Sequence, residues 1–223
     1  FRTRKASLFL AFDVMSIMCW GSVTLHNPRQ FYPMTKAIPM QIDIVSDVVC
    51  PWCIIGYKNL EDAISRLDGE IDVTLRWHPF ELNRDMPPEG QDLSEHISEK
   101  YGLTADQSAD NRARITMMGE NVGFPIHFGS DSRIYNTFDA HRLLYWAGKE
   151  GEYGQQTALK LNLFAAYFQG GDNTADHGVL KRAVEEVGLS PERAAEILAS
   201  DEFAKEVRAE EDEFGDAGIS SVP

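Results

Sequence analysis

Apolar positions along this chain change period twice. From Gln41 to Ser46 they crowd into a short β-branched stretch, Ile42, Ile44 and Val45, which predicts a strand. From Pro51 to Leu67 they recur near helical spacing, at Ile54, Ile55, Leu60, Ala63, Ile64 and Leu67. Pro51 suits the first turn of that helix, where its missing N–H has no intrahelical partner. Asp68-Gly69 ends the helix, and alternation returns from Ile71 to Trp77 as a second strand. A strand, a helix and a strand joined in this way predict a βαβ unit with parallel strands.

Beyond His78 the strand signals stop. Pro79, Pro87, Pro88 and Gly90 mark a loop. Helical patterns then follow in series: Leu93 to Tyr101, Thr104 to Val122, Asn136 to Lys149, Gln155 to Gln169, Asp176 to Val187, Ser190 to Ala199 and Glu202 to Phe214. Ser190-Pro191 sets a side-chain cap followed by proline at the first helical position. The predicted architecture is α/β: a βαβ unit, a large helical block inserted in it or added to it, and a turn from Gly218 to Pro223.

Composition adds limits. Hydrophobic residues make up 43% and charged residues 25% of the 223, which is ordinary for a soluble globular chain. A net charge of -14 disfavours a nucleic-acid partner or an anionic membrane surface. That charge belongs to the chain after residue 39, because residues 1–39 set Arg2, Arg4, Lys5, Arg29 and Lys36 against Asp13 alone. The run from Leu8 to Trp20, behind three basic residues, resembles a signal peptide but is too short and too interrupted for a transmembrane helix. The reading adopted is that residues 1–39 are an upstream extension and translation starts at Met40, leaving a cytoplasmic protein. A genuine signal would make it periplasmic.

The chemistry lies at Cys50-Pro51-Trp52-Cys53, at the carboxyl end of the first strand, where open α/β sheets place their sites. Cysteines at i and i+3 in a first helical turn are close enough to bridge. Cys50, at the positive end of the helix dipole, is expected to be the more exposed sulfur and to hold a thiolate at lowered pKa. Cys53, a turn deeper, is expected to resolve the mixed disulfide that Cys50 forms. Pro51 stiffens the loop and Trp52 offers an aromatic surface beside it. A zinc site would need two more ligands, and Cys19, His78, His96, His127, His141 and His177 do not supply a recognisable second half. No metal site is expected.

These residues carry a family resemblance. Asp47 to Gly56 resembles the active-site segment of DsbA-like thioredoxin-fold proteins, specifically the FrnE-like dithiol-disulfide oxidoreductases. Trp77 to Asn83, Asn136 to Leu143 and Gly218 to Pro223 are similar to further segments of that family, the last to its cis-proline loop. The resemblance covers Met40 to Pro223. It implies a thioredoxin-like domain over residues 40–85 and 215–223, interrupted by a helical domain over 86–214. It also implies disulfide oxidase or isomerase activity on protein or small-molecule thiols. Cys50 and Cys53 would be the redox pair and Val222-Pro223 the cis-proline element, with Asp47, His78, His141 and Arg142 as supporting candidates. No cofactor is implied, though glutathione is open as a thiol co-substrate. Related kappa-class glutathione transferases and 2-hydroxychromene-2-carboxylate isomerases carry serine where Cys50 stands, so a glutathione-dependent transferase or isomerase is the alternative function. The family's fold continues past its cis-proline with a hairpin and a helix, so the sequence is expected to be a truncated product ending at Pro223. Substrate, redox direction and oligomeric state are not legible.

Overall fold

The computed structural model describes residues 37–67, 69–87 and 89–223. The signal-like run and Cys19 lie outside the described residues. Two strands, β1 (Ile38–Ser46) and β2 (Ile71–Pro79), pair in parallel from Ile38↔Ile71 to Ser46↔Pro79. Helix α1 (Pro51–Ser65) connects them. Both strands are longer than the apolar pattern predicts. The ladder continues through Ile38 and Pro39 at one end, and through His78 and Pro79 at the other, because pairing with a neighbour needs no particular side chain.

A short antiparallel ladder joins β3 (Gln91–Asp92) to β4 (Arg133–Ile134). Two residues per strand leave no periodicity to read, and the sequence gives no sign of it. Seven helices follow α1: α2 (Leu93–Tyr101), α3 (Ala105–Asn121), α4 (Phe138–Glu150), α5 (Gln155–Ala165), α6 (His177–Glu186), α7 (Pro191–Leu198) and α8 (Ala204–Asp216). Side-chain caps set the starts of α2, α3, α6 and α7. Asp92 accepts from the Ser94 and Glu95 amides, both at 2.9 Å. Thr104 and Gln107 form a reciprocal capping box. Asp176 and Ser190 accept from Val179 and Arg193. The long pattern after Gln155 is α5 running into a π-helical turn, Ala166–Gly170.

α8 ends one residue beyond the predicted stop at Gly215. The Ile219 amide donates to the Phe214 carbonyl at 3.0 Å, the Gly218 amide to Gly215 at 2.9 Å, and Gly218 takes φ 90°. This is a Schellman turn, and the positive φ is what requires glycine there. It reverses the chain toward Val222 and the start of α1.

Beside a small apolar cluster of Met86, Leu93 and Ile134, two larger ones lie under these elements. One gathers α4 to α7 with Val48 and Val49. The other joins Cys50, Cys53 and Ile54 of α1 to Trp77 of β2, Ile115 of α3, and Phe164 and Phe168. The helical segment therefore forms half of the wall behind the cysteines. It also finishes β2: Gln156 of α5 accepts from the Trp77 amide at 3.0 Å and donates to the Trp77 carbonyl at 2.9 Å, as a neighbouring strand would.

α8 is tied to the βαβ unit by charge. Arg208 bonds buried Glu81 and also Glu211. His78 bridges Asp43 of β1 at 3.0 Å and Glu210 of α8 at 3.1 Å. The bond to Glu210 raises the His78 pKa, burial opposes it, and Asp43 adds to the rise. A histidine with raised folded pKa contributes stability that is complete below its unfolded value, about 6.5, and lost as pH rises through the folded value. Burial and Glu211 likewise push Glu81 up to about 7, so its contribution is lost in the same direction. We expect the urea midpoint to fall from pH 6 to pH 8. A His78→Gln variant should show a shallower fall, retaining the share due to Glu81.

Candidate active site

Cys50 is the N-cap of α1, with φ -91° and ψ 112°, and Cys53 lies in the first turn. The Cys53 amide donates to the Cys50 carbonyl at 3.2 Å. Both cysteines are free thiols. Both are also buried, at 2% and 3% exposure, so the expected contrast between an exposed Cys50 and a deeper Cys53 is absent. They differ in what they face. Cys50, not Cys53, lines a pocket of about 410 Å³ between α1, α2 and α3, together with Pro51, Trp52 and Val222. The Cys50 thiol donates to the Val222 carbonyl oxygen at 3.7 Å, and the Val222–Pro223 peptide bond is cis.

The charge distribution differs from the sequence expectation. The Cys50 side chain makes no capping hydrogen bond, and the Cys53 amide, which favours a charge on the Cys50 sulfur, is outweighed. Its thiol is pushed up by the hydrogen bond with Cys53, by burial and by the nearby Asp47 carboxylate. Cys53 is held below the ordinary thiol value by that same hydrogen bond, against burial, with help from Ser46 and Lys160. The two sulfurs share one proton: the first ionisation of the pair is easy and the second is strongly opposed. The hydrogen bond between the sulfurs biases the pair toward charge on Cys53 and the proton on Cys50.

The groups behind Cys53 come from both parts of the fold. Lys160 of α5 is fully buried and donates to the Ser46 carbonyl at 3.1 Å, with its ammonium 5.5 Å from the Trp77 ring centre and 5.2 Å from that of Phe164. Burial pushes this lysine down to about 8, while Cys53, Asp47 and Cys50 pull the other way. Asp47, fully buried, accepts from the Leu82 amide at 2.8 Å, and its other oxygen lies 3.5 Å from His141 Nε2. Burial alone would raise the Asp47 carboxyl, but His141, the Leu82 amide and Lys160 outweigh it and hold it low. Asp47 Oδ1 and His141 Nε2 have no hydrogen-bond partner among the described residues.

The structure thus brings Asp47 and His141 together behind the cysteine pair. It puts His78 and Arg142 elsewhere. His78 is in the bridge between β1 and α8 described above. Arg142 is buried and donates to the Glu202 carbonyl at 2.9 Å and to those of Ile197 and Ser200, closing the end of α7, with Asp139 balancing its charge at 2.7 Å. Lys160 and Ser46 are absent from the candidates drawn from sequence. One signal for Lys160 was present: it falls four residues from both Gln156 and Phe164, on the inward face of α5.

The DSBA-like thioredoxin domain family profile matches residues 41–223. The chain belongs to that family. The fold is accordingly a DsbA-like thioredoxin fold, rich in helix and carrying a helical insert. The chain is 28% identical over 185 residues to the uncharacterized protein YwbO of Bacillus subtilis (strain 168), covering 82% of this chain and 84% of that one. Among solved structures it is similar to the probable DsbA oxidoreductase SCO1869 from Streptomyces coelicolor. The TM-score is 0.74 at 27% identity, with 82% of this chain and 78% of that one covered. It shares its fold with the cytosolic disulfide reductase DsbM from Pseudomonas aeruginosa, solved with GSH. There the TM-score is 0.54 at 16% identity, over 82% and 84% of the two chains. Among the described residues of this DSBA-like chain, no helix is long and apolar enough to cross a membrane.

Proposed function

We propose that this DSBA-like protein is a thiol-disulfide oxidoreductase of the FrnE-like kind, working through Cys50-Pro51-Trp52-Cys53 in the cytoplasm. The observation that carries the reading is the pair of free thiols at the start of α1, of which the pocket-lining one lies 3.7 Å from the Val222 carbonyl oxygen.

The step balances as follows. Cys50 passes its proton to Cys53 and attacks one sulfur of a substrate disulfide. The substrate S–S bond breaks, and one substrate thiolate leaves and takes up a proton. Cys53, losing its proton again, attacks the Cys50 sulfur and releases the second substrate thiol. Two electrons pass from the cysteine pair to the substrate, and the reverse sequence oxidises a dithiol. Lys160 and Ser46 steady the charge on Cys53, while Asp47 and His141 sit within the same buried cluster. Protein or small-molecule thiols would regenerate the pair, with glutathione a suitable co-substrate.

Dithiothreitol-driven insulin reduction tests the reading, alongside redox titration in glutathione buffers read by intrinsic tryptophan fluorescence. Trp52 and Trp77 pack in the cluster that holds both cysteines, so oxidation should change the emission. Accelerated insulin precipitation with a two-electron redox transition is expected. A protein with neither would not be an exchange enzyme.

A further inference from the structure

The pocket beside Cys50 has a composition out of keeping with the chain. The protein carries a net charge of -14, yet no acidic side chain lines the pocket, and Arg112 is its one charged lining residue. Arg112 makes no ion pair with any described residue. Its guanidinium bonds the Ser94 hydroxyl at 3.1 Å. Two more cations stand nearby without carboxylate partners among the described residues. Lys100 binds the Leu82 carbonyl and the Asn83 amide oxygen, both at 2.7 Å and both on residues of the pocket wall. Arg114 lies over the Trp52 ring at 5.6 Å. The acids of the same two helices, Glu95, Glu99, Asp106, Asp110 and Glu120, do not line the pocket. The remaining wall is mainly apolar, with Ile97, Leu103, Ile115 and Phe128 facing Trp52 and Cys50.

Size and access narrow the occupant. Cys50 is 2% exposed, so its sulfur is met inside the pocket and not on open surface. A volume of about 410 Å³ suits one small molecule and not a length of polypeptide. We propose that the pocket is a substrate subsite for low-molecular-weight disulfides that combine an apolar or aromatic body with a carboxylate, the carboxylate meeting Arg112 and the body filling the space beside Trp52. This rests on the exchange function proposed above. The reaction is the one already balanced: the substrate's S–S bond is cleaved to two thiols, and the Cys50–Cys53 bond forms.

Stopped-flow oxidation of the reduced full chain tests the proposal with three probes. These are 5,5′-dithiobis(2-nitrobenzoate), which is aromatic and carboxylated; 4,4′-dithiodipyridine, aromatic without carboxylate; and oxidised glutathione, anionic without an apolar body. Each rate is divided by that of the same probe with free dithiothreitol. The carboxylated aromatic probe should show the largest ratio. Arg112→Met should lower that ratio about tenfold while leaving dithiodipyridine within about twofold, since one charged hydrogen bond is lost. Arg112→Lys should restore part of it. Leu103→Trp, which fills the pocket, should slow both aromatic probes by a larger factor than oxidised glutathione, which has no apolar body to seat there. Equal ratios for all probes, or an Arg112→Met effect that ignores the carboxylate, would overturn the proposal. So would insulin reduction that outruns every small probe and survives Leu103→Trp, in favour of a protein substrate. If Cys50→Ser leaves the reactions of all probes unchanged, the exchange function itself is what fails.

Discussion

Replacing Cys50 with serine is expected to lower disulfide exchange by at least about 100-fold, because a hydroxyl cannot form or leave a mixed disulfide. The side chain is small, buried and nearly isosteric, and Cys50 takes no part in capping α1, so fold and stability should change little. The effect should therefore appear in catalysis with an unchanged circular dichroism spectrum and urea midpoint. A Cys50→Ala variant removes the hydrogen-bond donor that holds Cys53 down. Alkylation of the remaining Cys53 should then lose the low first ionisation of the pair, and its pH midpoint should rise. Retained insulin reduction, or an unmoved Cys53 midpoint, would contradict the coupled-pair description.

Lys160→Met is expected to move stability and activity in opposite directions. The lysine is fully buried, and burial pushes it down to about 8 from the ordinary lysine value of 10.5. A lysine with lowered folded pKa weakens the fold wherever it is charged, below about 8, and that penalty is relieved as pH rises toward its unfolded value. Methionine removes the buried charge and packs between Trp77 and Phe164, so the variant should be more stable by about 1–3 kcal/mol at pH 7. The same change withdraws a positive charge that favours thiolate on Cys53. The first ionisation of the pair should move up, and exchange at pH 7 should slow by about tenfold. Thermal melts and the pH profile of iodoacetamide alkylation read the two effects separately. A variant that loses stability, or keeps the wild-type alkylation midpoint, would show that Lys160 does not face the pair electrostatically. Natural sites often keep such a group at a cost in stability.

Much of the scaffold was legible because its signals are local. The βαβ unit follows from period and turn residues between Gln41 and Trp77, and the helix starts at Thr104 and Ser190 follow from their caps. Extensions such as Ile38–Pro39 were not, because strand length is decided by the partner strand. The two-residue ladder of β3 and β4 carries too few positions for any period. At the site, Cys50 and Cys53 announce themselves by spacing, and Asp47 and His141 by belonging to recognisable segments. Which sulfur holds the charge was not legible. It depends on the hydrogen bond between the two sulfurs, on burial, on Asp47 lying near Cys50, and on Lys160 arriving from over a hundred residues away. Arg142 and His78 show the reverse. Their residue types suggest chemistry, yet one closes the end of α7 and the other bridges β1 to α8.

The central claim is that Cys50 is the sulfur that meets substrate and Cys53 the one that resolves. A Cys53→Ser chain, treated with 5,5′-dithiobis(2-nitrobenzoate) and analysed by intact and peptide mass spectrometry, tests it most directly. A stable mixed disulfide on Cys50 is predicted, with the Cys50→Ser chain labelling at Cys53 at least about tenfold more slowly. Equal labelling of the two chains, or faster labelling of Cys53, would contradict the account.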